Sequence, residues 1–294
     1  FHNFMHVRSW CKYRGMKMAR NGNFALGLLV VAGAWGLWSI LSGPPVPVVA
    51  VKPEANKNGS MGVAVKPDIC EETTFEGARA ILCVIDPSLL DIRLVYRGPD
   101  GEVLGSVSNA VTALAAAGRA PVLAMNAGMY HADMTPVGLY VEDGSEISPL
   151  NADDGFGNFF LKPNGVFFVR KDGTAGVMET EAYRAAGITP EFATQSGPML
   201  LIDGDIHPRF LPDGTSRYIR NGVGVRADGS IVLAITRDKV SLGSFARLFR
   251  DEARCENALF FDGAVSSLAW GVQMEIDAGE PAGPIVAVFD KFED

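Results

Sequence analysis

The chain has 294 residues, a hydrophobic fraction of 48% and an aromatic fraction of 9%, which is ample for a sizeable core and excludes a wholly disordered polymer. Its formal net charge of −8 is unevenly spread: residues 1–50 hold five bases (Arg8, Lys12, Arg14, Lys17, Arg20) and no acid, leaving 21 bases against 34 acids in the remainder. A remainder that acidic excludes nonspecific binding to nucleic acid phosphates and gains nothing from an anionic membrane surface. A negatively charged substrate would need a local cation.

The basic leader, residues 1–23, runs into Phe24–Leu41 (FALGLLVVAGAWGLWSIL), which contains no charged residue. Bases before an apolar run of this length predict a signal-peptide core or a membrane anchor with its N-terminus in the cytoplasm. Small residues at Val48 and Ala50 suit cleavage after Ala50, whereas Trp35 and Trp38 suit a retained interfacial anchor. A buried core helix is the plainer alternative. Met16 or Met18 begins a more ordinary leader than Phe1 does. Residues 42–67 are rich in Pro, Gly, Asn and Lys and read as a linker, so the globular domain is expected over residues 68–294 on the exported, periplasmic or outer side. In an oxidising compartment Cys70, Cys83 and Cys255 are an odd set. The short separation favours a Cys70–Cys83 disulfide with Cys255 as a buried thiol; the sequence leaves pairing of Cys255 with either one open.

From residue 74 onward the pattern predicts an α+β domain with mixed, largely antiparallel sheets and few helices. Strands are expected over 80–85, 91–96, 122–126, 139–142, 199–202, 258–261 and 285–289. Helical spacing covers Val107–Ala117, ending at Gly118, and Leu242–Glu252, capped by Ser241. Pro163-Asn164-Gly165 between FFLK and VFFV predicts one hairpin within 158–169, and Ala227-Asp228-Gly229 another, between 222–226 and 231–236.

Two of these strands end alike. Asn126 is followed by Ala127-Gly128, and Asp262 by Gly263. A polar residue at a strand tip followed closely by glycine aims a side chain into a cleft and lets backbone N–H groups approach a ligand. Asx–Gly turn chemistry explains either motif equally well. His131 and His207 are the histidines outside the leader, and either can serve as acid, base or ligand contact or lie in a surface loop. Their spacing with nearby aspartates matches no zinc or calcium pattern, so neither metal nor cofactor is expected. Arg220 at a strand entry can fork onto a phosphate or carboxylate, or form a surface ion pair. Ser196 in Gln195-Ser196-Gly197-Pro198 lacks the spacing of a nucleophile elbow and reads as a turn or ligand contact.

Taken in order, NAGMYH (126–131), TPVGLYVEDG (135–144), NFFLKPNGVFFV (158–169), SGPML (196–200), IHPRF (206–210), RNGVGV (220–225) and FFDGAVSS (260–267) resemble the phosphodiester glycosidase family, across about residues 70–290. Many relatives carry Asn-Gly-Gly-Phe-Phe at 126–130 and Asp-Gly-Gly-Gly-Ser at 262–266, so Ala127, Ala264 and Val265 stand where glycines are usual. The resemblance implies a hydrolase that releases a sugar resembling N-acetylglucosamine from a glycosyl phosphodiester. It further implies Asp262, Arg220 and His131 as catalytic groups, with Asn126, Gly128, Ser196, Gly197, His207, Gly263 and Ser266 contacting substrate. A noncatalytic module binding envelope glycans, and a phosphodiesterase cutting P–O, are the alternatives.

Overall fold

The computed structural model describes residues 65–291. The leader, the apolar segment 24–41, Cys11 and the linker as far as residue 64 lie outside the described residues. Among those described, no helix is long and apolar enough to cross a membrane.

In chain order the elements begin with three strands, β1 (Cys70–Phe75), β2 (Ala78–Ile85) and β3 (Leu90–Val95), followed by helix α1 (Val107–Ala116). Ser106 Oγ caps α1 by accepting from Asn109 N at 3.0 Å, and Gly118 at φ +83 lets the chain leave it. Then come β4 (Leu123–Asn126), β5 (Tyr140–Glu142), β6 (Ser145–Ser148), β7 (Gly165–Val169) and β8 (Ala175–Glu179). The short helix α2 (Thr180–Ala186) precedes β9 (Phe192–Ser196), β10 (Met199–Ile202) and β11 (Asp205–Ile206). The hairpin β12 (Asn221–Arg226) and β13 (Ile231–Thr236) leads to α3 (Leu242–Arg247), which continues as a π-helical turn over Leu248–Glu252. Ser241 Oγ caps α3 by accepting from Ser244 N at 3.1 Å. The chain closes with β14 (Cys255–Asp262), β15 (Leu268–Trp270), β16 (Gln273–Ile276) and β17 (Ile285–Asp290).

Every strand pairing among the described residues is antiparallel, in three sheets. Their orders are β1-β2-β13-β12-β14-β10-β11, β16-β15-β4-β17-β3 and β6-β5-β9-β7-β8. The α+β expectation therefore holds. One core joins all three sheets, drawing Ile81, Leu233 and Phe261 from the first, Leu123 and Val288 from the second, and Phe167 and Phe192 from the third. A second cluster seats Phe245 and Phe249 of the α3 region against the outer face of the first sheet. Cys70 and Cys83 stand opposite each other in the β1–β2 register and are joined by a disulfide. Cys255 is a buried free thiol.

The hairpin expected around Pro163-Asn164-Gly165 is absent. Asn158–Pro163 is an irregular turn, and β7 pairs instead with β8 through residues 170–174. The physical reason is that Asn164 is buried and acts as an anchor. Its Nδ2 donates to Phe159 O at 2.9 Å, and its Oδ1 accepts from Thr180 Oγ1 at 2.9 Å. An asparagine spent on holding the preceding loop does not form the tip of a two-residue hairpin.

Candidate active site

The first and second sheets meet where β4 ends, β12 begins and β14 ends. Asn221 stands opposite Asp262 in the β12–β14 ladder, with a register shift between Asn221 and Gly222 that re-aims the strand. Asn221 Nδ2 donates to Asn126 O at 2.6 Å and Asn126 Oδ1 at 3.2 Å, tying the tip of β4 to the first sheet. Asn126 Oδ1 also accepts from Ser267 N at 2.8 Å. Ser266 Oγ lies 3.1 Å from Asn221 Oδ1 and 3.1 Å from Asp262 O. Asn126, Asn221, Ser266 and Ser267 are all buried. They form a satisfied polar joint beneath the strand tips, not a surface for ligand.

Asp262 sits on that joint, half-buried. Its Oδ1 accepts from Gly263 N and Ala264 N at 2.6 Å each and from Val265 N at 3.2 Å. Three backbone donors fix the carboxylate in one orientation. Its second oxygen accepts no hydrogen bond from the described residues. Turn chemistry and an available carboxylate oxygen are thus combined in one side chain.

Arg220 is 1% exposed. Its Nε donates to Val240 O at 2.8 Å and its Nη2 to Ser216 O at 2.9 Å, while the guanidinium lies over the rings of Phe260 and Tyr218. No carboxylate among the described residues forms an ion pair with it. Burial lowers its pKa to about 10, opposed by Tyr218 and by the Asp262 charge. Gly263 covers it closely, since a Cβ there would stand 3.2 Å from Arg220 Nη1. The arginine therefore supplies positive charge from beneath the Asp262 turn.

Asp262 opens into a cleft of about 440 Å³ lined also by His131, Tyr130, Val265, Phe156 and Asn158. His131 is exposed at its edge. Tyr130 OH donates to Pro281 O at 2.5 Å, and burial together with the Asp262 and Glu280 charges pushes its pKa up to about 12, so it stays protonated. Phe156 is fully exposed (101%) at the cleft mouth, between Gly155 and Gly157.

The structure thus brings Asp262, Arg220, Asn126, Gly263, Ser266 and His131 into one neighbourhood. Gly128 packs against β9, where a Cβ would meet Thr194 Oγ1 at 2.2 Å. Gly197 is pressed against the loop at Phe159 O, and Ser196 Oγ donates to Phe261 O at 3.2 Å. His207 is 1% exposed and stacked on Phe210. Burial lowers its pKa against the opposing backbone at Lys162 and Leu161, and its Nε2 has no hydrogen-bond partner among the described residues. None of these last four lines the cleft. Sequence reasoning passed over Asn221, Tyr130 and Phe156. Asn221 carried a signal, being an asparagine beside Arg220 at a strand entry. An aromatic flanked by two glycines was a signal for Phe156.

The cleft thus combines an oriented carboxylate at a strand tip, a buried cation beneath it and an exposed histidine at its edge, within an antiparallel α+β domain. The chain belongs to the phosphodiester glycosidase family, which it matches over residues 119–288. The uncharacterized protein YigE of Escherichia coli (strain K12) is 33% identical over 184 residues, covering 63% of this chain and 71% of YigE. Among solved structures, the zebrafish N-acetylglucosamine-1-phosphodiester α-N-acetylglucosaminidase catalytic domain, auto-inhibited by its pro-peptide, superposes with a TM-score of 0.55. That match has 13% identity over 76% of this chain and 82% of the zebrafish chain, a likeness of fold.

Proposed function

We propose that this domain hydrolyses a glycosyl phosphodiester at the bond between sugar C1 and the phosphodiester oxygen. The observation that carries the reading is the composition of the cleft: Asp262 is the one carboxylate among its described lining residues, with His131 on the same cleft. Ordinary glycosidases need a pair of carboxyl groups because a sugar alkoxide must be protonated as it leaves. A phosphate monoester, with a second pKa of about 6, leaves well without a strong acid. One carboxylate and a cationic or hydrogen-bonding group for the phosphate are then enough.

In this reading the open oxygen of Asp262 faces the developing oxocarbenium ion, as nucleophile or as base for water. Water ends on C1, and the phosphate departs with the electron pair of the broken C–O bond. His131 meets the phosphate. Arg220 keeps a positive charge under the Asp262 turn and acts through that carboxylate. N-acetylglucosamine is the sugar to try first, from the name of the zebrafish relative. The basic leader, the apolar segment 24–41 and the Cys70–Cys83 disulfide support an exported domain, with the leader as signal or anchor.

The test uses N-acetylglucosamine-1-phosphodiesters. Asp262→Asn keeps an oxygen for the three backbone donors, so the turn survives, and kcat should fall by about 10²-fold or more. Turnover in heavy-oxygen water should label the sugar. A label in the phosphate would mean P–O cleavage, and unchanged turnover in Asp262→Asn would remove the mechanism. Saturable sugar binding without product would indicate a binding module.

A further inference from the structure

On the far side of His131 lies a second cavity, of about 630 Å³, sharing His131 and Val137 with the Asp262 cleft. Both volumes fall in the range of small-molecule sites. The second cavity is lined by Arg97, Arg184, Ile147 and Leu150 among others, with Asp153 as its lining carboxylate. Arg97 forms no ion pair among the described residues. Its Nη1 donates to Gly101 O at 2.8 Å and its guanidinium lies over the ring of Tyr96, which is buried and also lines the cavity. Arg184 is exposed and paired with Glu181 at 2.8 Å. In a domain with so large an excess of acids, this cavity presents Arg97 without a carboxylate partner among the described residues, beside Arg184, which a ligand anion could share with Glu181.

This wall is fixed in place by buried chemistry. Gln195, 1% exposed, accepts at Oε1 from Asn151 N at 2.9 Å and from Leu139 N at 3.0 Å. Its Nε2 donates to Asn151 O at 2.7 Å. Asn151 Nδ2 in turn donates to Val137 O at 2.9 Å. Asn151 and Val137 both line the cavity, so a buried amide clamps two sides of it before any ligand arrives.

Resting on the hydrolase reading above, we infer that this second cavity is the aglycone subsite, and that the preferred substrate carries a second anionic group on its aglycone. A phosphodiester joins two parts through one phosphate. With the sugar beside Asp262 and the phosphate at His131, the other part is directed into the Arg97 cavity. Its body packs on Ile147 and Leu150, and its far charge meets Arg97 and Arg184.

The experiment compares four phosphodiesters of one sugar, with a methyl aglycone or a three-carbon aglycone ending in hydroxyl, carboxylate or phosphate. Turnover and calorimetric affinity are both measured on the full chain. Charged ends should improve affinity over the hydroxyl end by about fivefold at low salt, less as salt rises. The carboxylate and phosphate arms separate the two sources of charge. In Arg97→Ala/Arg184→Ala the ratio of charged-end to hydroxyl-end affinity should fall to near one. Equal affinity for all four, or a charge preference that survives in the double variant, would overturn the subsite. Charge-selective binding without turnover keeps the subsite and rejects the hydrolase reading; turnover without charge selectivity does the reverse.

Discussion

Asn221→Ala is the most informative single change, because one amide aligns two sheets. The side chain donates to Asn126 O at 2.6 Å and Asn126 Oδ1 at 3.2 Å, and accepts from Ser266 Oγ at 3.1 Å. Each such bond contributes on the order of 1 kcal/mol net, and each buried partner left unsatisfied costs a further 1–3 kcal/mol or so. Asn126 O loses its side-chain donor, whereas the Ser266 hydroxyl keeps Asp262 O and Ile219 O as acceptors and Asn126 Oδ1 keeps Ser267 N as a donor, so the cost is two bonds and one unsatisfied buried acceptor. The expected loss is therefore about 3–5 kcal/mol, a large share of a typical domain's 5–15 or so. Urea unfolding followed by tryptophan fluorescence measures it, with the m-value as a check on the unfolded state. The same change frees the tip of β4 from the Asp262 strand, so kcat should fall even where the protein is folded. A loss under about 1 kcal/mol with full activity would show that the joint does not hold the sheets in register.

Four further outcomes follow from the structure. Glu142 has its pKa raised by burial, the Tyr140 hydroxyl opposing, so its protonated form is favoured on folding and its contribution is lost as pH rises through the folded value. Glu142→Gln should consequently raise the melting temperature at pH 7 and leave it unchanged below the unfolded carboxyl pKa. Gly128→Ala places a Cβ 2.2 Å from Thr194 Oγ1 and 2.9 Å from Gln195 O, and should cost about 1–3 kcal/mol by denaturation. Cys255, its thiol pushed up to about 12 by burial, should resist alkylation until the protein unfolds, as read by peptide mapping. Phe156→Ala should leave the melting temperature unmoved, because the ring is fully exposed, while raising KM for the glycosyl phosphodiester.

Much of the scaffold was legible because its local signals were strong. The β12–β13 hairpin forms around Ala227-Asp228-Gly229, Ser241 caps α3, and α1 ends at Gly118. The failures share a cause. The FFLK run at 159–162 looks like a strand by composition, yet Phe159 is buried and Phe160 lines the cleft, because Asn164 ties that loop down from a position that reads as a turn. The short helix α2 was passed over because its cap is Glu179, whose carboxylate accepts from Glu181 N and Ala182 N, and not one of the usual small polar caps. At the site, the strand-tip motifs singled out Asn126 and Asp262, but the residue joining them, Asn221, is 95 positions from Asn126, a contact no local pattern encodes. Gly128, Ser196 and Gly197 belong to motifs as conspicuous as those of the cleft, and their positions are explained by close packing, of Gly128 and Ser196 between sheets and of Gly197 against the 158–164 loop.

The three positions where the family resemblance places glycine, Ala127, Ala264 and Val265, are not equivalent, and Ala264 is exposed at the cleft with its N–H on the Asp262 carboxylate. Ala127 is 1% exposed and belongs to the shared core, its N–H donating to Pro284 O at 2.8 Å. Its methyl fills protein interior and takes nothing from a ligand. Val265 lines the Asp262 cleft, and its own N–H donates to the carboxylate at 3.2 Å. An isopropyl group at 265 takes up cleft space beside the Asp262 turn. On the proposed reading, the backbone of residues 263–265 orients the carboxylate, and the side chain at 265 borders the space beside it. Val265→Gly should therefore widen the range of sugars turned over while Asp262 remains capped. Loss of activity toward every phosphodiester would instead tie the isopropyl group to the turn itself.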